Sequence, residues 1–324
     1  MTGTTPATAA PAIAAHPTAA PAIAAHPSAA PTTGAPATAL LTLAHGRHHH
    51  LEGLLRGLAA GSVAPDLLVV AAMDDPEITS VVASHAPRGV PAEVLPVEAH
   101  RWGLPLATAR NRAAEQAIAA GAELLVFLDV DCIPGRGLVE RYRDVARLAR
   151  PGSADVWSGA VHYLPPRTAG QAYGTEELAR SRPHAARPVA PDDSFLRAED
   201  LRLFWSLSFA ITADTWHRLG GFDEGYDGYG GEDTDFAMQL ARADGRLWWV
   251  GGAAAYHQHH DVESPPRRHL ADIVRNSNRF AARWGWFPME GWLTAFADEG
   301  LITQAGRPPR WHLTAAGHRA ARRP

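Results

Sequence analysis

Three clusters of side chains in this chain have the types and spacing to do chemistry together. The first is Asp129-Val130-Asp131, two carboxylates one residue apart, directly after the apolar run Leu124 to Leu128. Two anions at the end of a buried strand need a partner, because an unpaired desolvated carboxylate is costly. At i and i+2 of an extended chain they would share a face. A hard divalent cation, Mn2+ or Mg2+, bound by carboxylates and by phosphate oxygens of a ligand, is the simplest partner. The plainer alternative is that the pair caps the next helix, which runs from Gly135 to Ala149. The second cluster is His257, His259, His260 and Asp261. A neutral imidazole from it would complete the ligand set of a Mn2+-type or Zn2+-type ion. The third is Gly220 to Phe236, GGFDEGYDGYGGEDTDF, with six glycines and six carboxylates in seventeen residues. Phe236, Ala237, Leu240 and Ala243 fall at helical spacing, so Glu232, Asp233 and Asp235 sit at a first helical turn. Acids are favourable there in any protein. The glycines and aromatics before them are not explained that way. They point to a loop whose backbone approaches a ligand.

A divalent ion at one locus and a carboxylate at another divide the work of a displacement. The ion neutralises charge on a departing diphosphate. The carboxylate takes the proton from an acceptor hydroxyl on the other side of the reacting centre. Paired carboxylates at a single locus would suggest glycoside hydrolysis instead. A phosphate loop of the form G-x-x-x-x-G-K-[ST] is absent, which disfavours a nucleotidyl- or phosphotransferase. A non-catalytic binding protein is the other alternative, and the acids argue against it. His48-His49-His50 invites a metal reading, but consecutive helical side chains diverge by about 100°. These three read as a solvated helix start.

The elements that position these groups alternate strand and helix. Ala39 to Leu43, Asp66 to Ala72, Ala92 to Val97 and Leu124 to Leu128 read as strands. Leu51, Leu54, Leu55 and Leu58 mark one helix, and Ala107 to Ala120 another. Short links between them predict a largely parallel α/β sheet. Ligands of such sheets bind beyond the carboxyl ends of strands. Arg47, Asp74, Asp75, Asp129 and Asp131 all follow strands and face that crevice. Leu203 to Thr212 returns to strand character, Ala213 to Leu219 to helix, and Leu247 to Val250 to strand. The segment from Leu164 to Asp200 is rich in Pro, Arg and Ala and long for a plain connection. It reads as a lid or acceptor-side loop. A helix from Arg268 to Trp284 leads into a tail whose apolar residues suggest a small helical brace or a winged-helix-like appendage.

Composition sets the bounds. The chain has 324 residues, 46% of them hydrophobic, a formal net charge of -4, and no lysine. Nucleic acid and anionic membranes are poor partners for that balance. The single cysteine, Cys132, excludes a disulfide framework within the chain. No apolar run reaches the roughly 18 residues of a spanning helix, and nothing resembles a signal peptide. The expected location is cytoplasmic. Residues 1–38 are mostly Ala, Pro and Thr, with a tandem unit, APAIAAHPTA then APAIAAHPSA. They read as a disordered tail.

The motifs together resemble a family. The chain is similar to GT-A glycosyltransferases of family 2 that carry the galactosyltransferase C-terminal module, as in the β-1,4-galactosyltransferases. Their strand end F-x-D-V-D-x-I-P is matched by Phe127 to Pro134. Their N-G-F leading to G-W-G-G-E-D-D-D is matched by Gly220-Gly221-Phe222 leading to Gly228-Tyr229-Gly230-Gly231-Glu232-Asp233-Thr234-Asp235. Their N-R-x-x-H-L is similar to Gly46-Arg47-His48-His49-His50-Leu51. The resemblance covers roughly Leu40 to Arg283. It implies a Rossmann-like, mostly parallel twisted sheet flanked by helices, with residues 39–285 as the transferase domain and 286–324 as a small helical extension. Within it, 39–163 would be the nucleotide-sugar half and 200–262 the acceptor half. It implies a metal-dependent inverting transfer of a hexose from a UDP-sugar to a glycan or small-molecule hydroxyl. Asp131 and His257 would hold Mn2+ or Mg2+, supported by Asp129, with His259 or His260 able to take the histidine's role. The family's methionine ligand is not matched, since Ala254 occupies its place. Arg47, Asp74, Asp75, Arg110, Asn111 and Asp129 would bind the donor. Tyr229, in place of the family's tryptophan, Gly230, Gly231 and Glu232 would bind the acceptor, and Asp233 would be the base. A helix start lowers a carboxylate pKa, so Asp233 is expected to be a weak but ionised base. Asp235 is left as structural.

Overall fold

The structure, a computed structural model, describes residues 34–100, 103–150, 152–167 and 171–321. Of the tail read as disordered, residues 1–33 lie outside the described residues. The chain divides into two compact units, one ending at His260 and one beginning at Asp261.

The first unit is built on one ten-stranded sheet. β1 (Thr38–Ala44), β2 (Leu67–Met73), β3 (Ala92–Val97) and β4 (Leu124–Leu128) run parallel in the order β3-β2-β1-β4. The sheet continues through β5 (Cys132–Pro134), β6 (Asp155–Tyr163), β7 (Arg182–Pro183), β8 (Phe195–Arg197), β9 (Ser208–Thr212) and β10 (Arg246–His257). β9 lies antiparallel between β4 and β6. β10 runs parallel to β6, and β5 closes that edge antiparallel to β10. The short β7 and β8 attach to β6 and β10. The helices are α1 (His48–Ala59), α2 (Ile78–His85), α3 (Leu106–Ala119), α4 (Leu138–Ala146), α5 (Thr175–Arg180), α6 (Ala213–Leu219) and α7 (Glu232–Arg242).

β2 and β4 read as unbroken apolar runs because both faces are covered. Leu41, Val69 and Leu125 face one core layer with the alanines of α3 and with Phe236 and Leu240 of α7. Leu40, Leu68 and Val126 face the other, with Leu51, Leu54, Leu55 and Leu58 of α1 and Tyr142 of α4. The expected α/β sheet flanked by helices is therefore present. Two details differ. Leu201–Leu203 is a 3-10 turn, and the strand expected from Leu203 starts only at Ser208. β6 has no clean alternation and was not expected, yet it lies in the middle of the sheet between β9 and β10.

The second unit contains α8 (Leu270–Trp284), α9 (Glu290–Asp298), a hairpin of β11 (Ile302–Ala305) and β12 (Arg310–Leu313), and α10 (Ala315–Ala320). It has its own core of Leu270, Ile273, Val274, Leu293, Phe296 and Ile302. Among the described residues no helix is long and apolar enough to cross a membrane.

Gly159 in β6 is one of the tight points of the sheet. A Cβ there would lie 1.9 Å from the carbonyl oxygen of Ala253, on the neighbouring strand where the β6–β10 register shifts. The obstacle is backbone and cannot swing aside. Gly159→Ala is expected to destabilise the chain by about 3 kcal/mol or more, at or above the usual cost of overpacking. Thermal unfolding checks this, and an unchanged melting temperature contradicts it.

Candidate active site

The chain turns directly after β4, and that turn builds the site. The Cys132 amide donates to the Asp129 carbonyl at 2.8 Å, so Asp129 and Asp131 are not on one face of an extended strand. They diverge. Asp131 points to Arg47, whose Nη1 lies 2.5 Å from Oδ2, and to His257 and His260, whose Nε2 atoms lie 3.6 and 3.5 Å from its two oxygens. Asp129 points the other way, to Arg110.

Ligand atoms of Asp131, His257 and His260 all lie within 4.8 Å of one another, close enough to hold one ion. The sheet sets this up. β5 pairs with β10 so that Cys132 lies opposite His257, and the Gln258 amide donates to the Asp131 carbonyl at 2.7 Å. His259, read from the sequence as a ligand, is exposed and lies outside the trio, and its amide donates to the Tyr173 hydroxyl. The reason is where the strand stops. β10 ends at His257, Gln258 is buried and donates to the His50 carbonyl, and the turn brings His260 back to Asp131. Asp129 also lies outside the trio. Burial pushes the Asp131 carboxyl up, but a hydrogen bond from His260 and the charges of His257 and Arg47 outweigh it and hold it down at about 2. Burial lowers the His257 imidazole. A carboxylate whose pKa is held down, flanked by two imidazole rings, is an O/N donor set of the kind a Mn2+-type ion takes, so the residues fit.

Arg110, in α3, joins the two acidic motifs. Its side chain is 5% exposed, with Nη1 3.3 Å from Glu232 Oε1 and Nη2 3.5 Å from Asp129 Oδ1. Its guanidinium lies over the Phe222 ring at 5.1 Å. Burial works against its charge, but Asp129, Glu232 and Asp233 together raise its pKa. Glu232 is buried, and its Oε2 has no hydrogen-bond partner among the described residues. Asp233 is half-buried beside it and accepts the Thr234 amide at 2.7 Å. The helix start alone would lower its pKa. Burial, followed by the charge of Glu232, wins and pushes Asp233 up to about 7. Asp129 is pushed up to about 6 by burial, offset by Arg110 and reinforced by Asp131 and Glu232.

The glycine loop holds these acids in place. Gly230 and Gly231 have φ of 91° and 95°, which side-chain-bearing residues rarely adopt, and Gly231 caps α7. Asn111, expected at the donor, is engaged elsewhere. Its Nδ2 donates to the Phe222 carbonyl at 2.9 Å and to Glu224 at 2.8 Å, and its Oδ1 accepts the Phe222 amide at 2.9 Å. It pins the base of the loop. Asp235 is fully buried and accepts from the Tyr226 hydroxyl at 3.1 Å and from Gln239 at 3.0 Å, as a structural residue does. Tyr229 is exposed. Asp75 locks the turn that carries Arg47, accepting from the Gly46 amide at 2.7 Å and lying 2.8 Å from His48 Nε2. Arg47 itself has φ 50°, and Asp74, which is exposed, has φ 49°. One residue went unnoticed in the sequence. Arg187 is buried, with its guanidinium over the Trp249 ring at 4.8 Å, and its only signal was an arginine-rich loop.

A family model described as the N-terminal domain of galactosyltransferase matches residues 196–261. That span holds the end of the long loop, β9, α6, the glycine loop, α7 and β10. The first unit has the GT-A fold, and residues 196–261 are similar to that galactosyltransferase module. A validoxylamine A glucosyltransferase of Streptomyces hygroscopicus subsp. limoneus is 28% identical over 274 residues, 76% of this chain and 57% of that protein. Another, from Streptomyces hygroscopicus subsp. jinggangensis, is 27% identical over 204 residues, 56% of this chain and 45% of that protein. The chain thus spans about half the length of these curated relatives. Among solved GT-A structures, a mannosyltransferase from Pyrobaculum calidifontis in complex with GDP-Man and Mn2+ superposes with a TM-score of 0.52. It is 20% identical, over 83% of this chain and 72% of that one. S. aureus TarS 1-349 in complex with UDP-GlcNAc gives 0.50 at 14% identity, over 81% and 80%.

The Asp233 environment makes a stability prediction. Its carboxyl rises from the ordinary 3.8 to about 7 in the folded chain. Between those values the folded chain binds the extra proton, so this group's contribution to stability falls as pH rises through the window. Asp233→Asn removes the buried charge. The variant is expected to melt several degrees above the wild type at pH 8, on a scale of about 2–4 °C per kcal/mol. The gap should close toward pH 4. Scanning calorimetry across this range checks it, and a variant that is less stable at pH 8 contradicts it.

Proposed function

We propose that the chain is a metal-dependent inverting glycosyltransferase that moves a hexose from a UDP-sugar to an acceptor hydroxyl, with Asp233 as general base. The observation that carries this reading is the Arg110 bridge. It holds the strand-end acid Asp129 and the loop acid Glu232 in one site, with an unpartnered Glu232 oxygen beside Asp233. A buried carboxylate oxygen without a donor suits a sugar hydroxyl.

The two sides of the site take different tasks. On the donor side, Asp131, His257 and His260 would hold Mn2+ or, less suited to two imidazoles, Mg2+. When bound, the ion neutralises charge on the departing diphosphate. Arg47, already paired with Asp131, is placed to share in that neutralisation, and Asp74, Asp75, Arg110 and Asp129 frame the nucleotide side. On the acceptor side, Tyr229 offers an exposed ring for a sugar face, Gly230 and Gly231 let the backbone approach, and Glu232 orients the hydroxyl. The acceptor oxygen bonds to the anomeric carbon as its proton passes to the Asp233 carboxylate. The bond from that carbon to the diphosphate breaks, and UDP leaves. Attack from the face opposite the leaving group inverts the centre. A carboxylate with a pKa near 7 is well matched to this step at neutral pH.

Both curated relatives are named as glucosyltransferases, which supports a hexose donor and a glycan or small-molecule acceptor. A cytoplasmic location belongs to the same reading. So do a donor half in residues 39–163 and an acceptor half in 200–262.

Asp233→Asn is expected to lower kcat by about 10²–10⁴-fold, with calorimetric binding of UDP and Mn2+ unchanged. Loss of UDP binding instead would move Asp233 to the donor side. For the metal, Asp131→Ala should abolish both turnover and its stimulation by Mn2+. His260→Ala should weaken Mn2+ by at least about tenfold, the scale on which even outer ligand-shell partners act, whereas His259→Ala should leave it unchanged. Metal-stimulated turnover surviving in Asp131→Ala, or a larger effect at His259 than at His260, overturns the ligand assignment.

A further inference from the structure

The long loop before β8 delivers a cation that the proposed reaction does not use. Arg187 is 8% exposed. Its Nη2 donates to the Ser158 hydroxyl at 2.6 Å, and its guanidinium lies over the rings of Trp249 at 4.8 Å and Trp205 at 5.4 Å. Its Nη1 is buried and has no hydrogen-bond partner among the described residues. The guanidinium lines a small pocket whose other walls include Val161, Tyr163, His184, Val189 and Trp249. Tyr163 connects this pocket to the metal trio, its ring 5.1 Å from that of His257.

The charge around Arg187 is not balanced from within. The groups that favour its charge are Tyr163, Tyr142, Cys132 and Asp233. Of these only Asp233 is a carboxylate, and among the described residues no carboxylate forms an ion pair with Arg187. Asp233 titrates near 7 and is only partly charged there. Burial lowers Arg187 to about 10, which still leaves it protonated. A buried cation without a full counter-charge is unfavourable unless something supplies one. A sugar hydroxyl would satisfy the idle N–H but not the charge. An anionic oxygen satisfies both.

We propose that Arg187, with Tyr163, His184 and Trp249 around it, is a subsite for an anionic oxygen of the ligand, phosphoryl or carboxylate, entering beside the metal trio. The aromatic walls exclude water and take the apolar face of the group that carries the anion. The subsite deepens the nucleotide-sugar reading and rests on it for the identity of the ligand, though not for the need of an anion.

Calorimetric titration of the full chain tests it, with wild type, Arg187→Gln and Arg187→Lys. The probes are UDP, UDP-glucose and UDP-glucuronate, each with Mn2+, and inorganic pyrophosphate and glucuronate alone. Arg187→Gln is expected to weaken the anion-bearing ligand by roughly 10- to 100-fold, the range for a hydrogen bond to a charged group, with partial recovery in Arg187→Lys. Equal losses for all three nucleotides identify the diphosphate as the source. A loss confined to UDP-glucuronate identifies a sugar carboxylate. Arg187→Gln should melt no lower than the wild type, since it removes an unbalanced buried charge. If every probe binds wild type and Arg187→Gln alike, the subsite does not exist. If wild type binds no nucleotide but binds pyrophosphate or glucuronate through Arg187, the subsite stands and the nucleotide-sugar reading falls.

Discussion

The site depends on one buried cation, Arg110. It comes from α3, a helix whose other core positions are mostly alanine, so the helix lies close against the sheet. From there it reaches an acid that follows β4 and an acid that opens α7, two elements far apart in sequence. Neither pair is short, at 3.5 and 3.3 Å, and neither acid would be tolerable in this position alone. Truncating one member of a buried charge group typically costs about 3–5 kcal/mol, because the rest are left uncompensated. The same guanidinium lies over Phe222, which Asn111, the next residue in α3, holds by its backbone. One turn of one helix thus fixes both the charge and the position of the glycine loop.

Arg110 also explains why neighbouring carboxylates behave differently. Asp131 faces Arg47, His257 and His260, and these partners carry it down to about 2 despite burial. Asp233 faces Glu232 and has only a share of Arg110, so burial carries it up to about 7. A single cationic environment around all the acids would have made them alike. Dividing the partners, with Arg47 and the two histidines on one side and Arg110 in the middle, separates a carboxylate held ionised from one able to accept a proton near neutral pH. Pushing titratable groups apart in this way is how acid and base roles become assigned within one pocket.

Much of this was legible in the sequence, for physical reasons. Leu124 to Leu128 and Asp66 to Ala72 read as strands because a parallel strand buried on both faces is an unbroken apolar run. The first turn of α7 was visible because the apolar period starts at Phe236. What was hidden depends on contacts between distant residues. β6 carries Gly159 because β10 comes within touching distance, and a glycine weakens the strand pattern that would have revealed it. The divergence of Asp129 and Asp131 follows from a turn that an isolated D-x-D cannot show. The choice between His259 and His260 stayed open because it turns on β10 stopping at His257, and strand ends are the least legible boundaries in a sequence. Arg187 lay in a loop without periodicity, and its environment consists of Trp205, Trp249 and Ser158 from three other segments.

The glycine loop shows how local freedom and tertiary restraint combine. Its glycines at 228, 230 and 231 all take positive φ, so the chain can double back without a side chain blocking the cleft. Such freedom alone would give a floppy segment, since glycine has the most backbone entropy to lose on ordering. The loop is therefore held at both ends by buried groups. Asn111 grips Phe222 at its start, and Asp235 is held by Tyr226 and Gln239 at its finish. Between these anchors, Phe222 and Phe236 stack at 4.5 Å with an interplanar angle of 17°, closing the loop on an aromatic base. The acids Glu232 and Asp233 project from the rigid end of this arrangement, on the first turn of a helix rather than from the glycines themselves. Backbone freedom is confined to the glycines, and the two carboxylates stand on helical backbone.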